Sequence, residues 1–142
     1  MASENVKRKI AVIFATDVVG YSTSMEANEV QTLKNLKACK KVLEDLFLQY
    51  DGHVFNTAGD SVLAEFSSAV SAVVCASEFQ KLIRERNKSV GNFQKMEFRI
   101  GINMGDVVKE DGNLYGEGVN IAARLEALSK PNGICLSKIF MI

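Results

Sequence analysis

The chain has 142 residues, 47% of them hydrophobic, and a single Pro, which suits one domain with a core large enough to fold by itself. Lys plus Arg and Asp plus Glu each total 17, so no surplus of positive charge exists to hold a nucleic-acid polymer or an anionic membrane. Neither the opening MASENVKRKI nor any later segment has the apolar run of a signal peptide or a membrane span, and a cytoplasmic protein is expected.

Residues 9–19, KIAVIFATDVV, are dense in Val, Ile and Phe, which predicts a strand buried on both faces. From about residue 24 to 50, Met25, Leu33, Leu36, Leu43, Leu46 and Phe47 recur at helical spacing among Lys, Glu and Asn. This predicts one amphipathic helix, ended by AspGly at 51 and 52. HVF, NTAGD and SVLAEF then read as a hairpin of two short strands, with Gly59 supplying the backbone shape of the turn and Asp60 lying in it.

Ser67 is the expected N-cap of a second helix whose inner stripe is Ala69, Val73, Ala76, Phe79 and Ile83, running to the polar RERNKSVGN. MEFRIGINMGDVV is a strand, KEDGNLYG a loop, EGVNIAARLEALSK a helix broken by PNG, and ICLS a last short strand. Cys39, Cys75 and Cys135 are far apart and form no ligand cluster, so they are read as reduced core cysteines, and His53, beside the AspGly turn, as a surface residue.

The order strand, helix, strand, strand, helix, strand predicts an α+β fold, the ferredoxin-like βαββαβ sandwich: an antiparallel sheet with helices on one face. There the first strand runs antiparallel to the third, so the end of one adjoins the start of the other. Asp17 and Asp60 are thereby brought to one edge of the sheet. Two neighbouring carboxylates repel, and a hard oxygen-seeking cation, Mg²⁺ or Mn²⁺, would satisfy them together with the oxygens of a nucleoside triphosphate. Gly20, Tyr21 and Ser22 lead into the first helix, where unpaired backbone amides can receive phosphate oxygens. Taken singly, each Asp reads equally as a cap or turn residue, and Asn120 with Arg124, four apart, as a solvated helix face.

Four segments, FATDVVGYS at 14–22, NTAGDSVLAEF at 56–66, FRIGINMGDV at 98–107 and YGEGVNIAARLEAL at 115–128, resemble in order the motif blocks of class III adenylyl and guanylyl cyclases. The resemblance covers residues 9–137 and makes residues 1–142 a single cyclase catalytic domain. It implies that Asp17, Asp60 and the carbonyl of Val18 hold two divalent ions, Mg²⁺ or Mn²⁺. It implies further that Arg99 contacts the triphosphate, that Arg124 stabilises charge on the α-phosphate in the transition state, and that Asn120 orients the ribose. The reaction would be intramolecular attack of the ribose 3′-oxygen on the α-phosphorus of ATP. The aspartates and the Asn120–Arg124 pair would come from different copies in a head-to-tail homodimer.

Asn56 and Asn113 stand where the family's purine readers are usually Lys and Asp or Thr; both amides can donate and accept. The Glu and Cys typical of guanine sites occur at neither position, and ATP is the expected base choice. Family domains run on through a further helix and strand pair, which residues up to Ile142 do not include, and a longer parent chain with a regulatory domain is expected. The alternative is a weak or silent cyclase-like module that dimerises and binds nucleotide.

Overall fold

The structure is a computed structural model that describes residues 6–138; the first five and last four residues of the expected domain lie outside it. The first strand, β1, spans Val6–Val18. Its side chains alternate: Val12, Phe14 and Val18 enter one core, while Ala11, Ile13 and Ala15 enter another on the opposite face. That double burial follows from the unbroken apolar run read in the sequence.

The single helix expected over 24–50 is two helices, α1 at Tyr21–Ala27 and α2 at Glu29–Tyr50. Asn28 separates them in an extended conformation, and its side-chain oxygen accepts from the Gln31 amide at 3.0 Å. An Asn that caps a following helix costs the preceding one its continuity. Asp51, at φ 61°, ends α2 in the left-handed conformation. The hairpin forms as predicted from β2, Gly52–Ala58, and β3, Ser61–Phe66, with Gly59 at φ 59° in the turn.

Helix α3, Ala69–Lys88, is capped by Ser68, not Ser67: the Ser68 hydroxyl accepts from the Ser71 amide, and Ser67 instead donates to Asp51. Its buried face is Ala72, Cys75, Ala76, Phe79, Gln80 and Ile83; Ala69 and Val73 are only half-buried. Strand β4, Phe98–Glu110, follows. The expected loop after it contains a further strand, β5, Asn113–Tyr115, which pairs antiparallel with β4 through a turn at Asp111 and Gly112, both at positive φ. Helix α4, Glu117–Leu128, and β6, Ile134–Leu136, complete the described chain.

The sheet order is β2-β3-β1-β4-β5, with β6 parallel to β4 and the other pairings antiparallel. This is the expected α+β antiparallel arrangement. Helices α2 and α3 cover one face, where Phe14, Phe47 and Phe66 cluster with ring centroids 5.3–5.7 Å apart. Helix α4 covers the other through Val119 and Ala122, so the one-face expectation holds for α2 and α3 alone. Gly101 is the reason α4 lies so near the sheet: a Cβ there would collide with the Glu126 amide nitrogen and the Ala122 carbonyl. Cys39 and Cys75 are buried, Cys135 is half-buried, and all three are free thiols; His53 is exposed beside Asp51.

Candidate active site

The β1–β3 ladder pairs Thr16 with Val62, which carries the end of β1 past the turn that begins β3. Asp60 reaches across it: its Oδ2 accepts from the Val18 amide at 2.9 Å. Asp17 and Asp60, 43 residues apart in the chain, thus meet at one sheet end, with the Val18 backbone between them. On the other side β4 places Arg99 directly opposite Asp17. Its Nε is committed to the Ser129 carbonyl at 3.1 Å, which ties the end of α4 to the sheet.

A third carboxyl completes this cluster, and the sequence reading did not single it out. Glu126, on the inner face of α4, is 8% exposed, and its carboxyl lies beside that of Asp17. Burial foremost, then the neighbouring Asp17 carboxyl, pushes the Glu126 carboxyl up to about 8. Burial also raises Asp17; the neighbouring Glu126 carboxyl lowers it, the charge of Asp60 raises it again, and Arg99 opposes. Among the described residues no Lys or Arg nitrogen is in ion-pair contact with Asp17, Asp60 or Glu126. One Asp17 oxygen, Oδ1, is buried without any hydrogen-bond partner.

A buried orphan carboxylate oxygen with a second carboxylate beside it fits a cation, since an uncompensated buried charge is strongly unfavourable. The donor set is all oxygen, which suits Mg²⁺ or Mn²⁺. Among the described residues no three acidic, imidazole or thiol side chains are grouped as a metal cage, so a cation here would need oxygens from backbone and substrate as well.

The phosphate-binding expectation falls on the turn after β1. Gly20 has φ 64°, and a Cβ there would meet nothing within 4 Å, so it is the left-handed backbone that calls for glycine. The first intrahelical bond of α1 runs from the Ser24 amide to the Gly20 carbonyl, leaving the amides of Tyr21 and Ser22 ahead of the hydrogen-bonded ladder. Beside this turn, a cleft of about 570 Å³ is lined by Val18, Val19, Arg84, Lys88 and Lys95. It does not include the two aspartates, and its Arg84, Lys88 and Lys95 outnumber the one acidic lining residue, Glu97, which leaves a net positive lining.

Asn120 and Arg124 are exposed on α4, and no hydrogen bond or ion pair joins them to Asp17 or Asp60 among the described residues. The same helix turns Ala122 and Glu126 inward. Asn56 is exposed on β2 just after a bulge, and β2 comes close to β5, the strand of Asn113. The Asn113 amide donates to the Tyr115 hydroxyl at 3.2 Å, and its oxygen accepts from the Leu114 amide at 2.8 Å. The structure therefore gathers Asp17, Val18, Asp60 and Arg99, brings the strands of Asn56 and Asn113 together, and leaves Asn120 and Arg124 facing outward.

The family model of the adenylate and guanylate cyclase catalytic domain matches residues 2–141. The chain belongs to this family. It is 45% identical over 138 residues to "Putative adenylate cyclase 3" of Rhizobium meliloti (strain 1021), covering 96% of this chain but 24% of that protein. The cyclase domain thus spans about a quarter of that relative's length. Among solved structures, an adenylate/guanylate cyclase/hydrolase from Silicibacter pomeroyi superposes with a TM-score of 0.88 at 40% identity, over 95% of this chain and 79% of that one. The guanylyl cyclase Cya2 superposes with a TM-score of 0.85 at 25% identity, over 96% and 79%. No helix among the described residues is long and apolar enough to cross a membrane.

Proposed function

We propose that this domain is an adenylate cyclase that converts ATP into 3′,5′-cyclic AMP and pyrophosphate at sites shared by two copies of the chain. The observation that carries this reading is the split of the functional residues. Asp17 and Asp60 meet around an unpartnered carboxylate oxygen, while Asn120 and Arg124 face solvent on α4, free to reach a second molecule. A head-to-tail homodimer would then build two equivalent sites.

Asp17, Asp60 and the Val18 carbonyl would hold two divalent ions, Mg²⁺ or Mn²⁺, whose chemistry is to acidify the ribose 3′-hydroxyl and neutralise the triphosphate. The amides of Tyr21 and Ser22 bind phosphate oxygens after the Gly20 turn. The 3′-hydroxyl loses its proton to water as its oxygen bonds to the α-phosphorus in line, and the bond from that phosphorus to the β-phosphate bridging oxygen breaks, releasing pyrophosphate. Arg124 of the second copy bears the charge that builds on the α-phosphate, Asn120 holds the ribose, and Arg99 meets the triphosphate. Because Arg99 already spends its Nε on Ser129, only its terminal nitrogens serve the substrate.

ATP is preferred over GTP because neither Asn56 nor Asn113 is the Glu or Cys of a guanine reader, and the name of the Rhizobium meliloti relative supports that choice. The Asn113 amide already spends one donor on Tyr115 and one acceptor site on Leu114, leaving one of each for a base, which favours weak base discrimination. The domain would act in the cytoplasm within a longer chain, where an attached regulatory domain sets its output. Incubation of the purified protein with ATP and Mn²⁺, with chromatographic separation of products, tests the reading. Cyclic AMP should form and Asp17→Ala should abolish it; turnover that survives this substitution refutes the assignment.

A further inference from the structure

The turn that carries Asp60 has little of its own to hold it. Ala58 pairs with Ser61, so Gly59 and Asp60 are the whole loop, and their backbone groups fall outside the β2–β3 ladder. A Cβ on Gly59 would meet nothing within 4 Å, so no packing supports the turn on that side. Two hydrogen bonds from outside the hairpin grip it instead. From β1, the Val18 amide donates to Asp60 Oδ2 at 2.9 Å. From α2, Lys40 Nζ donates to the Gly59 carbonyl at 3.2 Å. Lys40 stands four residues after Leu36 and three before Leu43, both buried in the core, so it flanks the apolar stripe of α2. With Leu43, Phe47, Val54 and Val62 it lines a groove of about 290 Å³ between α2 and the hairpin, where apolar walls suit its stem while the ammonium reaches the turn. Its neighbour Lys41 pairs with Asp45; among the described residues Lys40 has no carboxylate partner.

We infer that Lys40 is a positioning residue: by holding the Gly59 carbonyl it fixes the turn that aims Asp60 at the cation site it shares with Asp17. The inference rests on the cyclase reading of Asp17 and Asp60 as metal carboxylates. Lys40 acts through the turn and touches neither cation nor substrate. The bland alternative is a solvated lysine for which the nearby carbonyl is incidental. The two differ in the sign of their effect. An ammonium beside a cation site repels the cation, so a lysine acting by charge alone weakens metal binding, and its removal strengthens it. Removal of a lysine that holds the turn leaves Asp60 less well placed and metal binding weaker.

Mn²⁺ binding to the whole chain, followed by water-proton relaxation, and amide hydrogen exchange at Val18 in the metal-free protein separate the two, with melting temperature as the folding control. Lys40→Met keeps the stem and loses the donor, so Mn²⁺ affinity should fall about fivefold and exchange at Val18 should quicken by about as much. Lys40→Arg keeps a charged donor and should stay within about twofold of wild type in both measurements. Lys40 is only half-buried, and both variants should melt close to wild type. Mn²⁺ binding in Lys40→Met as tight as wild type or tighter, with Asp60→Ala no longer binding, overturns this inference alone. Mn²⁺ binding that is missing in wild type or persists in Asp60→Ala overturns the metal-site reading and the inference with it.

Discussion

The two halves of the candidate site differ in how far the chain has prepared them. Around Asp17 the Val18 amide holds Asp60 by a hydrogen bond, strand register sets Arg99 opposite, and the bond from Arg99 to Ser129 fixes the end of α4. Four residues along α4 from each other, Asn120 and Arg124 are exposed and have no tertiary partner among the described residues. The difference is physical. Carboxylates that must hold a cation benefit from a rigid, partly dry site prepared in advance. Side chains that act on a ligand held by another molecule must stay outside their own fold. One helix carries both, since its inner face locks onto the sheet while its outer face, with Asn120 and Arg124, stays exposed.

The largest effects should come from removing either half. Asp17→Ala and Arg124→Ala should each lower turnover by about a hundredfold or more, but by different routes. Asp17→Ala should abolish Mn²⁺ binding, whereas Arg124→Ala should leave it intact, as titration calorimetry would record. If both lost Mn²⁺ equally, the division drawn here would be wrong.

Next in size is the seat of α4. Gly101→Ala places a Cβ against the backbone of Ala122 and Glu126, and should destabilise the domain by about 1–3 kcal/mol through overpacking. Chemical denaturation measures it. A stability equal to wild type would mean that α4 is not held as closely as described.

The inner face of α4 also sets a pH dependence. Glu126 is raised from 4.5 to about 8 in the fold, so between those values the folded domain binds a proton that the unfolded chain has released. Stability from this group is full below the lower value and is lost as pH rises through the upper one. The melting temperature of the metal-free domain should therefore decline from pH 5 to pH 8, and Glu126→Gln should flatten that decline. The smallest expected effect lies away from the site: Asn28→Ala removes the cap between α1 and α2 and should cost about 1 kcal/mol in thermal unfolding.

The carboxylate half was legible in the sequence because it depends on strand ends. Once β1 and β3 are antiparallel, Asp17 and Asp60 must meet, whatever the details of packing. Glu126 was not legible in the same way, since a glutamate within a polar helix reads by default as solvated. The signal was the spacing of four from Gly118 to Ala122 to Glu126, two small residues and a carboxyl on one stripe, which makes sense only against a sheet carrying a glycine. Strand β5 escaped for a plainer reason: AspGly at 111 and 112 is a strong hairpin signal, but the three-residue strand after it is too short to show alternation. The break at Asn28 was hidden because apolar spacing continues across it, and only the cap geometry reveals that two helices share the pattern.

The central claim is that one chain supplies the aspartates and another supplies Arg124. Mixing the inactive variants Asp17→Ala and Arg124→Ala tests it most directly, because a mixed pair contains one site with neither substitution. Recovery to about a quarter of wild-type turnover is predicted for random exchange between symmetric dimers, measured as cyclic AMP formed per chain. No recovery above the two separate variants, under conditions where the chains demonstrably exchange, would contradict the account.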